Sequence, residues 1–279
     1  MTAHPKVTLL GTGTPVVNLK RSGPSQVVWV GDEPLLVDCG LGTAHQLLRA
    51  GIDPARVRHL FFTHHHSDHN LDYAGFAISS WGRGRPYLRV FGPAGTVELT
   101  GLLFQQAYAV DIAYRAAQTA PPGGMDIAVE EIDDGFVYST STWSVRAARV
   151  KHFVGLPCYG YRFEADGEVI AISGDTTYCE GVVDLARGAS ILVNNCSLAI
   201  PPERWLPIHH MVADHQCTPR QAGRMAREAG VQTLVLTHLR PDSDIDWALQ
   251  DAAVEFAGRI IAGEDLMELT CGATGPVDP

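Results

Sequence analysis

The stretch FFTHHHSDHN, residues 61–70, constrains this chain more than any other, because four histidines and an aspartate follow directly on an apolar run. In an extended segment side chains alternate, so His64, His66 and Asp68 share one side while His65 and Ser67 face away, and His69 follows as the chain turns. One ion can take His64 and His66, and a second the adjacent Asp68 and His69. The cluster is internal and interrupted, which excludes an engineered tag. A strand that ends in so many ligand atoms needs other strand ends beside it to complete their coordination.

The chain supplies those ends. RVKHFVG closes a strand-like run at His152, IAISGDTT at Asp175 and LVLTHLR at His238. Each is a ligand-type residue after an apolar run, as in the opening stretch. Further runs, KVTLLGTG, SQVVWVGD, PLLVDCG, YLRVFGP, YGYRFEADGEVIAISGD, ASILVNN and RIIAGED, read as strands, while GTAHQLLRAGI, TPRQAGRMAREAG and DWALQDAAVEFAG read as helices. Strands and helices mixed over the whole length predict a layered α/β protein, with one domain over residues 1–271 and a disordered tail over 272–279. Two stretches break the pattern: 102–127, with an apolar helical face and a Pro-Pro-Gly-Gly break, and 199–213, AIPPERWLPIHHMVA, read as a proline-rich loop.

The bulk properties set limits. A hydrophobic content of 46% suffices for a large core, and no segment is apolar for long enough to span a membrane. The amino-terminal MTAHPKVTLLGTGTP carries no basic segment followed by an apolar one, so the expectation is a soluble, cytoplasmic protein with no membrane partner. Cys39, Cys158, Cys179, Cys196, Cys217 and Cys271 form no Cys-x-x-Cys pair and are read as reduced thiols. The formal net charge of -10 repels a polyanion, which argues against nucleic acid as a partner.

Taken together, LLGTGTP, LLVDCG, THHHSDH, the lone His152, SGDTTYCEGVVDLARGA and AGVQTLVLTHL resemble the metallo-β-lactamase superfamily, within it the ribonuclease Z and arylsulfatase-like branch, over nearly the whole chain. The resemblance implies an αββα four-layer sandwich with the active site at one edge between two sheets. It implies two zinc ions, with manganese or iron fitting similar sites. By motif, His64, His66 and His152 would hold the first ion and Asp68, His69 and His238 the second, with Asp175 bridging them. Zinc β-lactamases commonly have a cysteine at that bridging place, so Asp175 argues against antibiotic hydrolysis. A homodimer is an expectation of the resemblance alone.

Two close ions lower the pKa of a water from 15.7 to about 7, which predicts ester hydrolysis by a metal-bridging hydroxide that Asp68 orients. Asp38 is a candidate partner for a ligand histidine or a capping residue. His215, in ADHQCTPRQAG, is the candidate acid for the leaving group, with His209 and His210 as rivals. The branch usually places this histidine two residues before threonine, whereas His215 stands three before Thr218. Ribonuclease Z also carries a His-Glu pair where this chain has Asn194 and Asn195. It commonly projects a transfer-RNA-binding arm where only 22 residues, 153–174, separate His152 from Asp175. These departures predict a small-molecule ester, phosphodiester or sulfate ester first and lactone or carboxylic ester as the alternative. A metal-binding sensor and a transfer-RNA 3′-processing endonuclease rank below. Trp205, Ile208, Met211 and the 102–127 segment are expected to help form the pocket.

Overall fold

The computed structural model describes residues 4–118, 124–153 and 155–272, and the apolar runs among them pair into two sheets. The first sheet is built from β1 (Lys6–Gly11), β2 (Ser25–Val30), β3 (Glu33–Val37), β4 (His59–Phe61), β5 (Leu88–Gly92) and β6 (Ile127–Glu131). The second contains β7 (Val137–Ser139), β8 (Trp143–Arg149), β9 (Tyr159–Ala165), β10 (Glu168–Ile172), β11 (Ile191–Asn195), β12 (Thr233–Thr237) and β13 (Arg259–Ala262). A last strand, β14 (Glu268–Thr270), returns to pair with β1.

Both sheets follow one plan. In the first, β14, β1, β2 and β3 are antiparallel neighbours and β4, β5 and β6 continue in parallel from β3. In the second, β7 to β10 are antiparallel and β11, β12 and β13 continue in parallel from β10. Parallel strands bury both faces, which is why β4 and β12 read as unbroken apolar runs.

Alternation along those strands separates three cores. Phe61, Leu35, Val37, Phe91, Tyr161, Phe163 and Val235 point between the sheets. Leu36, Leu60 and Phe62 point outward under α1 (Thr43–Arg49) and α2 (Tyr73–Gly82). Leu192, Leu234 and Leu236 point outward under helices that carry Val182, Met225, Ala226 and Ala252. Three apolar interfaces separate four layers, helix, sheet, sheet, helix, so the expected αββα sandwich is the observed one. Between the sheets, Phe61 stacks on Phe91 with centroids 5.0 Å apart and meets Phe163 edge-on at 5.4 Å.

Some elements differ from the sequence reading. The edge strands β6, β7 and β14 carry mostly exposed or half-buried residues, so no apolar run marks them. The 199–213 stretch is not all loop: Pro207 begins a short helix, Pro207–Val212, where its missing N–H costs no hydrogen bond. Leu102–Ala107 is π-helical and Ala109–Gln118 α-helical, anchored by Phe104 against Tyr73 on the outer side of the first sheet. Part of the 102–127 segment and all of the expected tail but Gly272 lie outside the described residues. No described helix is long and apolar enough to cross a membrane.

Candidate metal centre

The histidine-rich stretch leaves β4 at the edge where the parallel strands of both sheets end, the usual location of ligand sites in such sheets. Two hydrogen bonds tie its first residues to the second sheet: Tyr161 Oη donates to the Phe62 carbonyl at 2.7 Å, and Tyr159 N–H to that of Thr63 at 2.9 Å. Ser67–His69 then make one 3-10 turn. The turn packs so closely that a Cβ on Gly40 would lie 2.3 Å from the Asp68 carbonyl oxygen. Across the edge, Gly174 adopts a left-handed φ of 60° and turns the chain after β10 to present Asp175.

Seven side chains converge there in three overlapping groups that can hold a metal ion: His64, His66 and His152; His64, His69 and Asp175; Asp68, His69 and His238. His66 Nδ1 lies 3.1 Å from His64 Nε2 and 3.0 Å from His152 Nε2. His238 Nε2 lies 3.2 Å from Asp68 Oδ2 and 3.3 Å from Asp175 Oδ2. His69 Nε2 lies 3.5 Å from Asp68 Oδ2 and 3.6 Å from Asp175 Oδ1, and has no hydrogen-bond partner.

The outer ring nitrogens fix the tautomers. Thr63 Oγ1 donates to Asp38 Oδ2 at 2.9 Å, so it accepts from His64 Nδ1 at 3.0 Å. His69 Nδ1 donates to Asp38 Oδ2 at 2.8 Å, and His152 Nδ1 to the backbone carbonyl of His215 at 2.8 Å. Each Nε2 therefore turns its lone pair into the cluster, the arrangement metal-ligating histidines share. Three converging imidazole lone pairs cannot all be satisfied by a shared proton. A tetrahedral cation with bonds of about 2.0–2.1 Å sets such nitrogens ~3.3 Å apart and satisfies all three. The donor set fits a divalent metal, for which zinc is the usual choice.

Charges in the metal-free cluster agree with this chemistry. Burial holds the His64 and His66 imidazoles below their ordinary value, in the neutral state that ligation requires. Burial opposes protonation of His69 too, but Asp38, Asp175 and Asp68 outweigh it and raise it to about 10. Burial would push Asp68 and Asp175 up, yet the surrounding histidines hold both below the usual carboxylate range. Among these groups His69 is the one that holds a proton beside the carboxylates, and a bound metal would displace it.

Other residues fall into different places. His65 points away, with Nε2 2.8 Å from Thr96 Oγ1. Asp38 takes the first role foreseen for it, orienting His69, and also accepts the Thr63 N–H at 2.8 Å; the N-cap of the helix that follows it is Gly42. His215 meets the cluster through its carbonyl. His209 is buried and accepts the Leu206 N–H at 2.9 Å, while His210 packs against Trp205 with centroids 5.2 Å apart. Trp205 lines a cleft with Arg220 and Trp247, and Ile208 and Met211 are exposed. Another cleft, of about 240 Å³, is bounded by Val17, Leu19, Leu41, Leu71 and Asp68, and a much smaller space is lined by His69, Asp175 and His238. Sequence reasoning passes over Gln216, whose Nε2 donates to Asp175 Oδ2 at 3.2 Å; the signal for it is that it stands two residues before Thr218, where the branch usually places its histidine.

Comparisons with known proteins agree with this architecture. The family profile described as Beta-lactamase superfamily domain matches residues 34–239. A protein named Ribonuclease Z from Mycolicibacterium gilvum (strain PYR-GCK) is 35% identical over 278 residues, covering 94% of each chain. Another of that name from Mycobacterium avium (strain 104) is 36% identical, covering 94% of this chain and 96% of the other. Among solved structures, the metallo-β-lactamase fold protein YhfI from Bacillus subtilis has a TM-score of 0.76 at 18% identity, covering 95% of this chain and 99% of that one. The short form of human tRNase Z has a TM-score of 0.71 at 21% identity, covering 96% and 100%.

These relatives overturn one expectation. The net charge and the missing arm argued against nucleic acid, but full-length relatives more than a third identical are named as ribonucleases. Net charge is a weak guide here, because buried ligands and a local site decide what a cluster of this kind accepts. A divalent-metal site at the open edge of an αββα sandwich and a match over most of the chain lead to one assignment: the chain belongs to the metallo-β-lactamase superfamily, in its ribonuclease Z branch, and is a metallo-hydrolase of ester bonds.

Proposed function

We propose that this chain hydrolyses phosphodiester bonds in RNA with two zinc ions, the first held by His64, His66 and His152, the second by Asp68, His69 and His238, and Asp175 between them. The observation that carries the reading is the convergence of these seven donors in a chain whose full-length relatives are named Ribonuclease Z. When bound, the ions supply Lewis acidity and bring the pKa of a water down to about 7. Asp68 orients the attacking water and takes its proton. Asp38 and the His215 carbonyl keep His69 and His152 turned inward. His215 is the proposed proton donor to the leaving oxygen.

A second reading is favoured by one specific observation. The cleft beside Asp68 is walled by the exposed apolar side chains of Val17, Leu19, Leu41 and Leu71, which suits the organic part of a small phosphodiester. Metal-quantified protein should be assayed on a 3′-extended precursor transfer RNA, bis(4-nitrophenyl) phosphate, a lactone, a carboxylic ester and a chromogenic cephalosporin. The expected result is chelator-sensitive turnover of the phosphodiesters, with the RNA preferred under the first reading and the aryl diester under the second. A lactone or carboxylic ester that exceeds both by more than about tenfold, ~1.4 kcal/mol in transition-state binding, overturns both readings.

A further inference from the structure

Gln216 sits between the proposed bridging carboxylate and a buried polar wall. Its Oε1 accepts from Asn195 Nδ2 at 2.9 Å and from the Ser197 hydroxyl. An amide oxygen that holds two donors cannot face a carboxylate, so the NH₂ end is turned to Asp175 Oδ2, 3.2 Å away. The wall itself is fixed. Asn195 and Ser197 are 2% and 6% exposed. Asn195 is held on either side of Asp175, its N–H donating to Ser173 Oγ at 3.0 Å and its Oδ1 accepting the Thr176 N–H at 3.3 Å. Thr218 caps the following helix, Pro219–Ala229, with Gln221, whose Nε2 reaches Thr177 Oγ1 at 3.2 Å. Gln216 is thus anchored on both sides.

We infer that Gln216 is a positioning residue for the metal centre: it sets the rotation of the Asp175 carboxylate so that Oδ1 faces His69 while Oδ2 faces His152 and His238, and Ser197 with Asn195 fixes which end of the amide does so. The distances from Asp175 are 3.6 Å from Oδ1 to His69 Nε2, and 3.8 and 3.3 Å from Oδ2 to the Nε2 atoms of His152 and His238. Without the amide the carboxylate is free to turn about its last bond, and Oδ2 no longer stays between His152 and His238 with Oδ1 toward His69. A neutral amide gives this orientation without adding a charge to a site already crowded with ionisable groups. The inference rests on the reading that Asp175 is a metal ligand.

The test is zinc affinity, read by chelator competition on metal-stripped protein, with the metal-free melting temperature recorded beside it. Gln216→Met keeps the shape and removes the amide; the expected loss is about 10–100-fold in zinc affinity with little change in metal-free melting. Ser197→Ala should weaken zinc severalfold beside Gln216 and have no effect in the Gln216→Met background, because Ser197 acts through the amide. A residue that merely packs the loop would lower the metal-free melting temperature and give additive losses. Zinc affinity within about twofold of the parent in Gln216→Met, or a Ser197→Ala loss of the same size in both backgrounds, overturns the inference. Should Gln216→Met lack a metal-free melting transition, Gln216→Leu is measured by the same criterion. Asp175→Ala separates the two levels: unchanged zinc content there sinks the ligand assignment itself, whereas lost zinc there with intact affinity in Gln216→Met sinks only the role of Gln216.

Discussion

Asp38 and His238 share a backbone conformation that non-glycine residues seldom adopt: each follows a strand, β3 and β12, and each has a φ of 57°. Both belong to the candidate metal centre, Asp38 bonded to His69 and His238 close to Asp68 and Asp175. Two of the four described non-glycine residues with positive φ thus stand at this cluster, each at a cost of order 1–3 kcal/mol.

Asp38→Asn tests the orientation of His69. Asparagine tolerates the left-handed conformation and can still accept from the Thr63 N–H, but it meets the His69 and Thr63 donors with an uncharged group. Zinc affinity is expected to fall about 10–100-fold, and metal-free melting should fall as well at neutral pH, because the charged partner of His69 is lost. Asp38→Ala removes the acceptor of three buried donors, the Thr63 N–H, the Thr63 hydroxyl and His69 Nδ1, and should lower stability by ~2 kcal/mol or more, measured by denaturant titration.

Asp175→Ala should empty the site. Elemental analysis after growth in ample zinc is expected to give close to two ions per chain for the parent, ~1 or fewer for the variant, and no turnover. Equal metal content in both proteins would reduce Asp175 to a turn residue.

The pH dependence of the metal-free protein follows from two groups. His69 is raised to about 10, so its contribution to stability is complete below its unfolded value of ~6.5 and is lost as pH rises through about 10. Asp175 is held below the usual range, so its contribution is complete above its unfolded value of ~3.9 and is lost on acidification. Melting temperatures in chelator should therefore fall between pH ~6.5 and ~10, and His69→Gln should flatten that fall. Zinc affinity should rise over the same interval, because the ion displaces the His69 proton. Parallel curves for parent and variant would remove His69 as the cause.

His215→Ala keeps the carbonyl that holds His152, so zinc affinity should stay within about twofold of the parent. On aryl phosphodiesters of rising phenol pKa, the loss in rate should grow with that pKa if the side chain donates a proton. A uniform loss points to positioning instead.

Phe61→Ala, in the aromatic stack between the sheets, should cost ~3–5 kcal/mol and also weaken zinc, since β4 delivers His64 three residues later. A denaturation midpoint and a zinc titration on the same variant check both.

Much of the fold and of the metal centre is legible in the sequence. The runs ending at His64, His152, Asp175 and His238 are apolar because β4, β10 and β12 lie between packed layers, and β8 alternates for the same reason. Burial writes periodicity into the sequence, and the candidate ligands stand where it stops. The edge strands β6, β7 and β14 leave no such mark, because their side chains meet solvent. The pocket escapes sequence reading for a related reason: Trp205 and Met211 look like lining residues, yet only the fold decides that Val17 and Leu19, far earlier in the chain, flank Asp68. Gln216 stands in the sequence two residues before Thr218, but its role is not legible there, because an amide acquires its role from the neighbours that set its direction.

His64, His66, Asp68 and His69 come from the half of the chain that builds the first sheet, and His152, Asp175 and His238 from the half that builds the second. Ions bound by both sets would act as a cross-link between distant points of the chain, shrinking the unfolded ensemble much as a disulfide does, but reversibly and under the control of metal supply. Starving the protein of zinc would then loosen the seam between the sheets as well as stop the chemistry, so abundance and activity would respond together to the same scarcity.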